Sequence, residues 1–413
     1  MYLLYNILIF IAGGLLKLVA LFNPKIKLFV EGRKQVFDNI STKIKPADSV
    51  IWFHCASLGE FEQGLPLIEA LKADYPTHKI VVSFFSPSGY EVKKNSKVAD
   101  VITYLPLDSE KNAKRFLNVV HPDLAVFVKY EFWPNMLKEL KKRSIKTISI
   151  STIFRKNQAF FKWYGSWMRK SLDTFNHFFV QNDLSKQLLT SIGYDNSTIN
   201  GDTRFDRVAK ILEQDNTLDF VESFKNDLPC IVAGSTWPED ETLLVNYING
   251  IGGEGLKFII APHTMKPKNI NQLKKSITKK VGLYSEKDQL DLKTLDVLII
   301  DTIGLLTKIY SYANIAYVGG GMRTSGLHNT LEPATFGIPI IIGKNYGKFQ
   351  EVLDLVKLNG ITVISDQSSF NNALNTLTIF DEQYQQKSLI TKNYVQKNKG
   401  AVIQIADYAR TLL

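Results

Sequence analysis

Cysteine is almost missing: Cys55 and Cys230 are the only two in 413 residues. A disulfide-framed fold is thereby excluded. Each thiol lies in an apolar, strand-like run, where a buried, reduced side chain is expected, as in a cytoplasmic protein. Cys and His nowhere take a metal-ligand spacing. There is no Asp-x-Asp pair, the arrangement with which nucleotide-sugar enzymes hold a divalent ion on a diphosphate. The dinucleotide fingerprint is absent too: Gly319-x-Gly321 would need a third glycine at 324, and Thr324 stands there. Internal repeats and low-complexity tracts are also missing. Charge of one sign is not concentrated. The 50 Lys and Arg exceed the 40 Asp and Glu, for a net charge of +10. The basic residues nevertheless form only short clusters, such as Lys138, Lys141, Lys142 and Arg143. The balance favours an anionic partner, whether a lipid surface or a phosphorylated substrate, while the scatter argues against nucleic acid.

Long apolar runs are confined to Met1–Phe22, whose only charged side chain is Lys17. About twenty residues at ~1.5 Å each just cross a bilayer. The segment lacks the basic leader and small-x-small site of a cleaved signal peptide. Lys25, Lys27, Arg33 and Lys34 follow directly, which places the rest of the chain on the cytoplasmic side. Residues 1–22 are therefore read as a membrane anchor, spanning or deeply embedded.

From Ser49 onwards, short apolar runs alternate with helical patterns. Strands are expected at Val50–His54, Ile80–Phe84, Val101–Tyr104, Leu124–Val128, Thr147–Ile150 and Phe178–Val180. A second series runs Cys230–Ala233, Phe258–Ala261, Val297–Ile300, Ile315–Val318 and Pro339–Ile342. Such alternation implies parallel sheets covered on both faces, an α/β doubly wound class. The length favours two domains. The expected boundaries are 23–205 for the first domain, 206–228 for an apolar-poor linker, and 229–385 for the second. Residues 386–413 are expected as closing helices that return to the first domain. Ligands of such domains bind at the carboxyl ends of the strands, here in a cleft between the two.

Several strand ends carry chemistry. After the first strand comes His54-Cys-Ala-Ser-Leu-Gly-Glu60, whose acid is placed to act as a general base, or equally to complement a helix dipole. Lys129-Tyr-Glu131-Phe-Trp-Pro-Asn135 sets an aromatic-flanked acid after another strand. Gly201-Asp-Thr-Arg204 offers a cation for an anionic substrate, or a structural ion pair. In the second series, Gly234-Ser235-Thr236, Ala261-Pro262-His263 and Asp301-Thr-Ile-Gly304-Leu305-Leu306 all follow strands. The densest stretch is Tyr317–Gly343. Gly319, Gly320 and Gly321 end a strand, with Arg323 and His328 behind them. Asn329 or Thr330 can then cap a short helix with Glu332 in its first turn and Gly337 at its end. A glycine-rich turn leading into a helix N-terminus suits a phosphate, although a tight turn without ligand has the same pattern.

Taken in order, the apolar N-terminus, HCASLGE, YEFWPN, ISTIFR, GDTRFD, GST, APH, DTIGLL and GGG…GLHNTLEP resemble the 3-deoxy-D-manno-octulosonic acid (Kdo) transferases of lipopolysaccharide synthesis. These are membrane-anchored glycosyltransferases of GT-B architecture, with two Rossmann-like domains. The resemblance covers nearly the whole chain. It implies CMP-Kdo as donor, the lipid A precursor (lipid IVA) as acceptor, inversion at the anomeric centre, no metal or other cofactor, and inner-membrane lipids as partner. It implies Glu60 as general base, with Glu131 and Arg204 supporting the transition state. Pro262, His263, Gly304, Leu305, Leu306, Asn329, Thr330, Leu331 and Glu332 match CMP-contacting segments, and Ser235, Thr236, Gly320 and Gly321 complete the substrate-binding set. The chain departs from the family at three of these positions: His263 stands for a frequent Arg, Arg204 for a frequent Lys, and Leu305 for a frequent Glu. Two other classes share some of these features: a membrane-associated GT-B transferase with a nucleotide-diphosphate sugar, and a non-catalytic nucleotide-binding membrane protein.

Overall fold

Fourteen short strands, among the described residues, build two separate seven-stranded sheets in which every pairing is parallel. The computed structural model describes residues 1–250, 254–324 and 326–413. The chain divides into one unit of Met1–Arg207 with Lys399–Leu413 and a second of Val208–Asn398.

The first unit holds β1 (Val50–Cys55), β2 (Lys79–Phe84), β3 (Val101–Tyr104), β4 (Leu124–Val128), β5 (Lys146–Thr152), β6 (His177–Val180) and β7 (Ser197–Ile199). Their spatial order is β3-β2-β1-β4-β5-β6-β7. The second unit holds β8 (Cys230–Thr236), β9 (Lys257–Pro262), β10 (Val281–Leu283), β11 (Val297–Ile299), β12 (Ile315–Val318), β13 (Ile340–Gly343) and β14 (Ile361–Ile364), in the order β10-β11-β9-β8-β12-β13-β14. Central strands are buried on both faces, as β1 and β4 are at every residue. This is why they read as continuous apolar runs rather than alternating ones. The first strand of each sheet has its successor on one side and a later strand on the other, so the chain changes direction of winding between β1 and β4 and between β8 and β12. Loops leaving such a pair splay apart and open a crevice at the strands' carboxyl ends.

The expected strands all form, within a residue or two at each end except β8, which runs three residues past its expected end. Three more, β7, β10 and β14, were not expected. They are three or four residues long and stand at or next to sheet edges, where half-exposed residues break the apolar run. Residues 206–228, expected as a linker, are largely helical: Arg204–Ala209, a 3-10 turn at Lys210–Glu213 and Asp219–Lys225, with Val221 and Phe224 fully buried.

The closing segment is two helices, Glu382–Asn398 and Ala401–Arg410, split at Gly400 with φ +107°. The last helix belongs to the first unit. Its Val402, Ile405, Ala406 and Ala409 join the core that contains Leu67, Ile68 and Leu71. The Asp206 carboxylate accepts the Gly400 N–H at 2.8 Å, and Asn200 donates to Ala401 O.

Helix α1 (Tyr2–Val19) has mean hydropathy 1.9 and is long and apolar enough to cross a membrane. None of its residues is buried, and Leu3, Leu8, Phe10, Ile11, Leu15 and Leu18 are exposed. Its first turns are nonetheless tethered to the first unit by polar contacts. Tyr2 donates to Pro134 O, Tyr5 donates to Asp108 Oδ2, and Asn6 Oδ1 accepts from Asn135. Helices α2 (Pro24–Glu31) and α3 (Val36–Ser41) follow before β1.

Candidate active site

In the first unit, the reversal point between β1 and β4 brings Glu60 and Glu131 together. Helix α4 (Leu58–Asp74) begins directly after β1, and Glu60 occupies its third position. Its Oε2 accepts the backbone N–H groups of Ala56 and Ser57, a cap on the orphan donors of the helix start. The helix-start role expected of Glu60 is met by this cap, which uses Oε2 and does not occupy Oε1. Glu60 is 5% exposed. Burial, and then the negative charge of nearby Glu131, raise its pKa to about 7, against the pull of the two N–H groups and Lys129. A carboxyl group that ionises near neutral pH is matched to proton abstraction.

Glu131 sits in the turn after β4. Trp133 donates its indole N–H to Glu131 Oε2 at 2.9 Å and lies 3.1 Å from His54 Nε2, while that imidazole nitrogen is 3.4 Å from the same carboxylate oxygen. His54 is fully buried and its Nδ1 meets Ser83 Oγ at 2.9 Å. Lys129, which opens the turn, holds φ +66°. Left-handed backbone at a lysine costs energy and is typical of a site where direction matters more than comfort.

Arg204 pairs with Asp202. It donates through Nε to Asp202 Oδ2 at 2.9 Å, and its backbone N–H reaches Asp202 Oδ1. Gln63, one turn after Glu60 on α4, donates to the same carboxylate at 2.8 Å. Arg204 is thus held by a local ion pair that is itself tied to α4.

In the second unit, the reversal point lies between β8 and β12. Ser235 takes φ +55°, and the β8–β9 register slips between Gly234 and Thr236. This bulge sets Ser235 and Thr236 against the glycine turn. A Cβ on Gly319 would lie 2.4 Å from Ser235 O, and one on Gly321 would lie 2.7 Å from Gly343 N. These two glycines permit close backbone packing, and Gly320, at φ +91°, permits the turn. Asp240 locks the arrangement: its carboxylate accepts from Tyr317 OH at 2.7 Å, Gly320 N at 2.8 Å and Trp237 N at 3.0 Å. Ser325 of this loop lies outside the described residues.

The helix after the turn is only Leu331–Thr335. Asn329 Oδ1 accepts from Leu331 N, and its amide donates to Glu332 Oε1 at 3.0 Å. Glu332 Oε2 accepts from Thr307 at 2.9 Å, which draws in the Gly304–Leu306 segment, where Gly304 has φ +99°. Thr330 Oγ1 is buried without a hydrogen-bond partner among the described residues.

Pro262 ends β9, and the exposed His263 follows with its N–H on Thr236 O. Its ring stacks on Trp237 with centroids 4.5 Å apart and lies 4.5 Å from His328, whose Nε2 accepts the Trp237 indole N–H. Burial, then neighbouring His263, pushes His328 down to about 4, and burial lowers His263 as well. Both rings are neutral at pH 7, so the cation of this cluster is Arg323, 4.5 Å over the Trp237 ring and 3.4 Å from Glu239. Trp237 and Asp240 had no place among the expected contacts, whereas Arg323 belongs to the glycine-rich stretch singled out in the sequence. The signal that could have found Trp237 is its position directly after Gly-Ser-Thr at a strand end. Among the described residues, no three His, Cys, Asp or Glu side chains cluster as metal ligands.

Comparison with known proteins agrees with this layout. Residues 31–207 match the family model for 3-deoxy-D-manno-octulosonic-acid transferase (kdotransferase). A 3-deoxy-D-manno-octulosonic acid transferase of Haemophilus influenzae is 25% identical, over 96% of this chain and 94% of its own length. Among solved structures, a glycosyltransferase from Rickettsia africae superposes with TM-score 0.58 at 11% identity, covering 89% of this chain and 99% of that one. The UDP-GlcNAc 2-epimerase of Neisseria meningitidis superposes with TM-score 0.61 at 14% identity, covering 88% and 100%. Two doubly wound parallel units with such neighbours define a protein of GT-B type. Within that class, the matched segment and the near full-length relative make the chain similar to the Kdo transferases.

Proposed function

We propose that the chain is an inverting, metal-independent glycosyltransferase that moves Kdo from CMP-Kdo to the lipid A precursor (lipid IVA) at the cytoplasmic face of the inner membrane. The observation that carries this reading is Glu60: a buried carboxyl at a sheet's reversal point, beside a second acid, with its pKa raised to about 7. Glu60 takes the proton of the acceptor hydroxyl. The acceptor oxygen forms a bond to the anomeric carbon while the bond from that carbon to the CMP phosphate breaks, and its electron pair leaves with the phosphate. Attack opposite the leaving group inverts the centre. Positive charge develops on the sugar, where Glu131 offers a fixed carboxylate, and negative charge grows on the departing phosphate.

The second unit supplies the groups for that phosphate and its nucleoside. The glycine turn presents backbone at Gly320 and Gly321. Thr330 brings a buried hydroxyl with no internal partner, the condition of a group that awaits a ligand. The five-residue helix adds little dipole, so its leading N–H groups act as local donors. Neutral His263 and His328 suit hydrogen bonding and stacking rather than charge pairing. Arg204 supports the transition state through its fixed pairing with Asp202. Helix α1 keeps one side on the protein and leaves an apolar side exposed, an arrangement that holds the unit at a bilayer interface.

The test is incubation with CMP-Kdo and lipid IVA, with and without a chelator, and mass analysis of the products. The reading requires Kdo-bearing lipid in both arms. Transfer with a UDP-sugar and not with CMP-Kdo would replace it with the diphosphate-donor reading.

A further inference from the structure

Between α1, α2, α3 and the loop after β3 lies a cavity of about 300 Å³. Its apolar wall includes Leu16, Phe29, Phe37 and Leu107, and its charged lining is Lys17, Arg33 and Lys34, with no carboxylate. Arg33 is the informative member. Its guanidinium packs over Phe29 at 3.5 Å and donates to three backbone oxygens: Leu105 at 2.9 Å, Phe29 at 2.8 Å and Phe85 at 2.6 Å. No carboxylate pairs with it among the described residues. Burial lowers its pKa to about 9, the mark of a cation desolvated without a counter-charge. Three cations over an apolar floor are complementary to an anion that carries hydrocarbon. The cavity also opens beside the exposed Leu15 and Leu18 of α1 and Leu28 of α2, the side of the unit suited to lipid.

We infer that this cavity is a binding site for an acidic phospholipid of the membrane, its phosphate between Lys17, Lys34 and Arg33 and the first carbons of its chain against Phe37 and Leu107. The volume excludes a whole lipid and suits a headgroup with the start of a chain. The site stands apart from the acceptor assignment and does not depend on it. It would fix the depth of the anchor: a seated headgroup pins the α1–α2 corner at the phosphate plane, where each cation near the surface adds about 1 kcal/mol.

The test is native mass spectrometry of the full chain in detergent, titrated with phosphatidylglycerol or phosphatidylcholine. One retained phosphatidylglycerol, with phosphatidylcholine bound about tenfold more weakly, is expected. Leu107→Trp fills the cavity without changing charge and should abolish retention, as should Lys17→Gln with Lys34→Gln. Lys25→Gln with Lys27→Gln, on α2 but outside the cavity lining, should leave it intact. An unchanged thermal midpoint in each variant shows that the fold is kept. Equal binding of the two lipids, retention by the Leu107→Trp variant, or an equal loss in the Lys25/Lys27 variant would overturn the site. Displacement of the phospholipid by lipid A precursor or by inorganic phosphate at comparable concentration would overturn the assignment of its occupant; resistance to both supports it.

Discussion

Glu131 Oε2 stands 3.4 Å from Nε2 of the fully buried His54, and the indole N–H of Trp133 reaches both, at 2.9 and 3.1 Å. Two side chains from two neighbouring strand ends thereby set the direction of one carboxylate. Trp133 also packs on Phe85, with ring centroids 4.6 Å apart.

Trp133→Phe keeps that packing and removes the shared donor. The Glu131 carboxylate then loses its fixed direction. Turnover is expected to fall about tenfold, the scale of ~1.4 kcal/mol of lost positioning, with KM for the donor little changed. Steady-state kinetics with CMP-Kdo check this. An unchanged turnover number would remove Glu131 from the reaction.

Glu60 links stability to pH with a definite sign. Its folded pKa, about 7, is above the ordinary glutamate value of 4.5. Below 4.5 it is protonated in both states and contributes nothing; above 7 the folded state must hold a buried carboxylate. Wild type therefore loses stability relative to Glu60→Gln as pH rises through this window, by up to about 3 kcal/mol. Urea midpoints of the two proteins at pH 4.5 and pH 8 measure it. They should converge at the lower pH, and the variant should be the more stable at the higher.

Gly319 and Gly320 fail differently when given a methyl group. Gly319→Ala forces Cβ to 2.4 Å from Ser235 O, so backbone must move. Gly320→Ala faces φ +91° and also Gly326 O at 2.4 Å. Each should cost at least about 1–2 kcal/mol. Gly326→Ala has open space but φ +117°, and should pay for conformation alone. Denaturant unfolding of the three variants separates clash from strain.

CMP is expected to protect the chain against heat, and UDP is not. At a hundredfold excess over Kd, the stabilisation is about 2.7 kcal/mol. The Thr330→Val variant removes the unpartnered hydroxyl and should weaken CMP protection without lowering the unliganded midpoint. Equal protection by UDP would favour the diphosphate-donor alternative.

Much of this was legible in the sequence because parallel strands buried on both faces announce themselves as apolar runs. Val50–His54 and Leu124–Val128 needed no tertiary information, and the acids just after them fell at strand ends. What stayed hidden depends on partners remote in the chain. Asp240 is 80 residues from Gly320, whose N–H it accepts, a separation that no local pattern spans. The ring stack of Trp237, His263 and His328 joins three different strand ends. The polar tether of α1 through Tyr2, Tyr5 and Asn6 was invisible beside the apolar signal of Met1–Phe22, roughly the span of a bilayer helix. The edge strands were too short and too exposed to stand out. Residues 206–228 read as a linker because their helices bury only a few side chains each.

The most direct measurement is single-turnover transfer of Kdo from CMP-Kdo to lipid IVA by wild type and Glu60→Gln, followed across pH 5 to 9. The proposal predicts Kdo-bearing lipid from wild type, with a rate that climbs with pH through an apparent pKa near 7. It predicts a loss of at least about a hundredfold in Glu60→Gln, the scale of general-base catalysis, with CMP protection retained. Transfer by the variant at the wild-type rate would contradict the account at its centre.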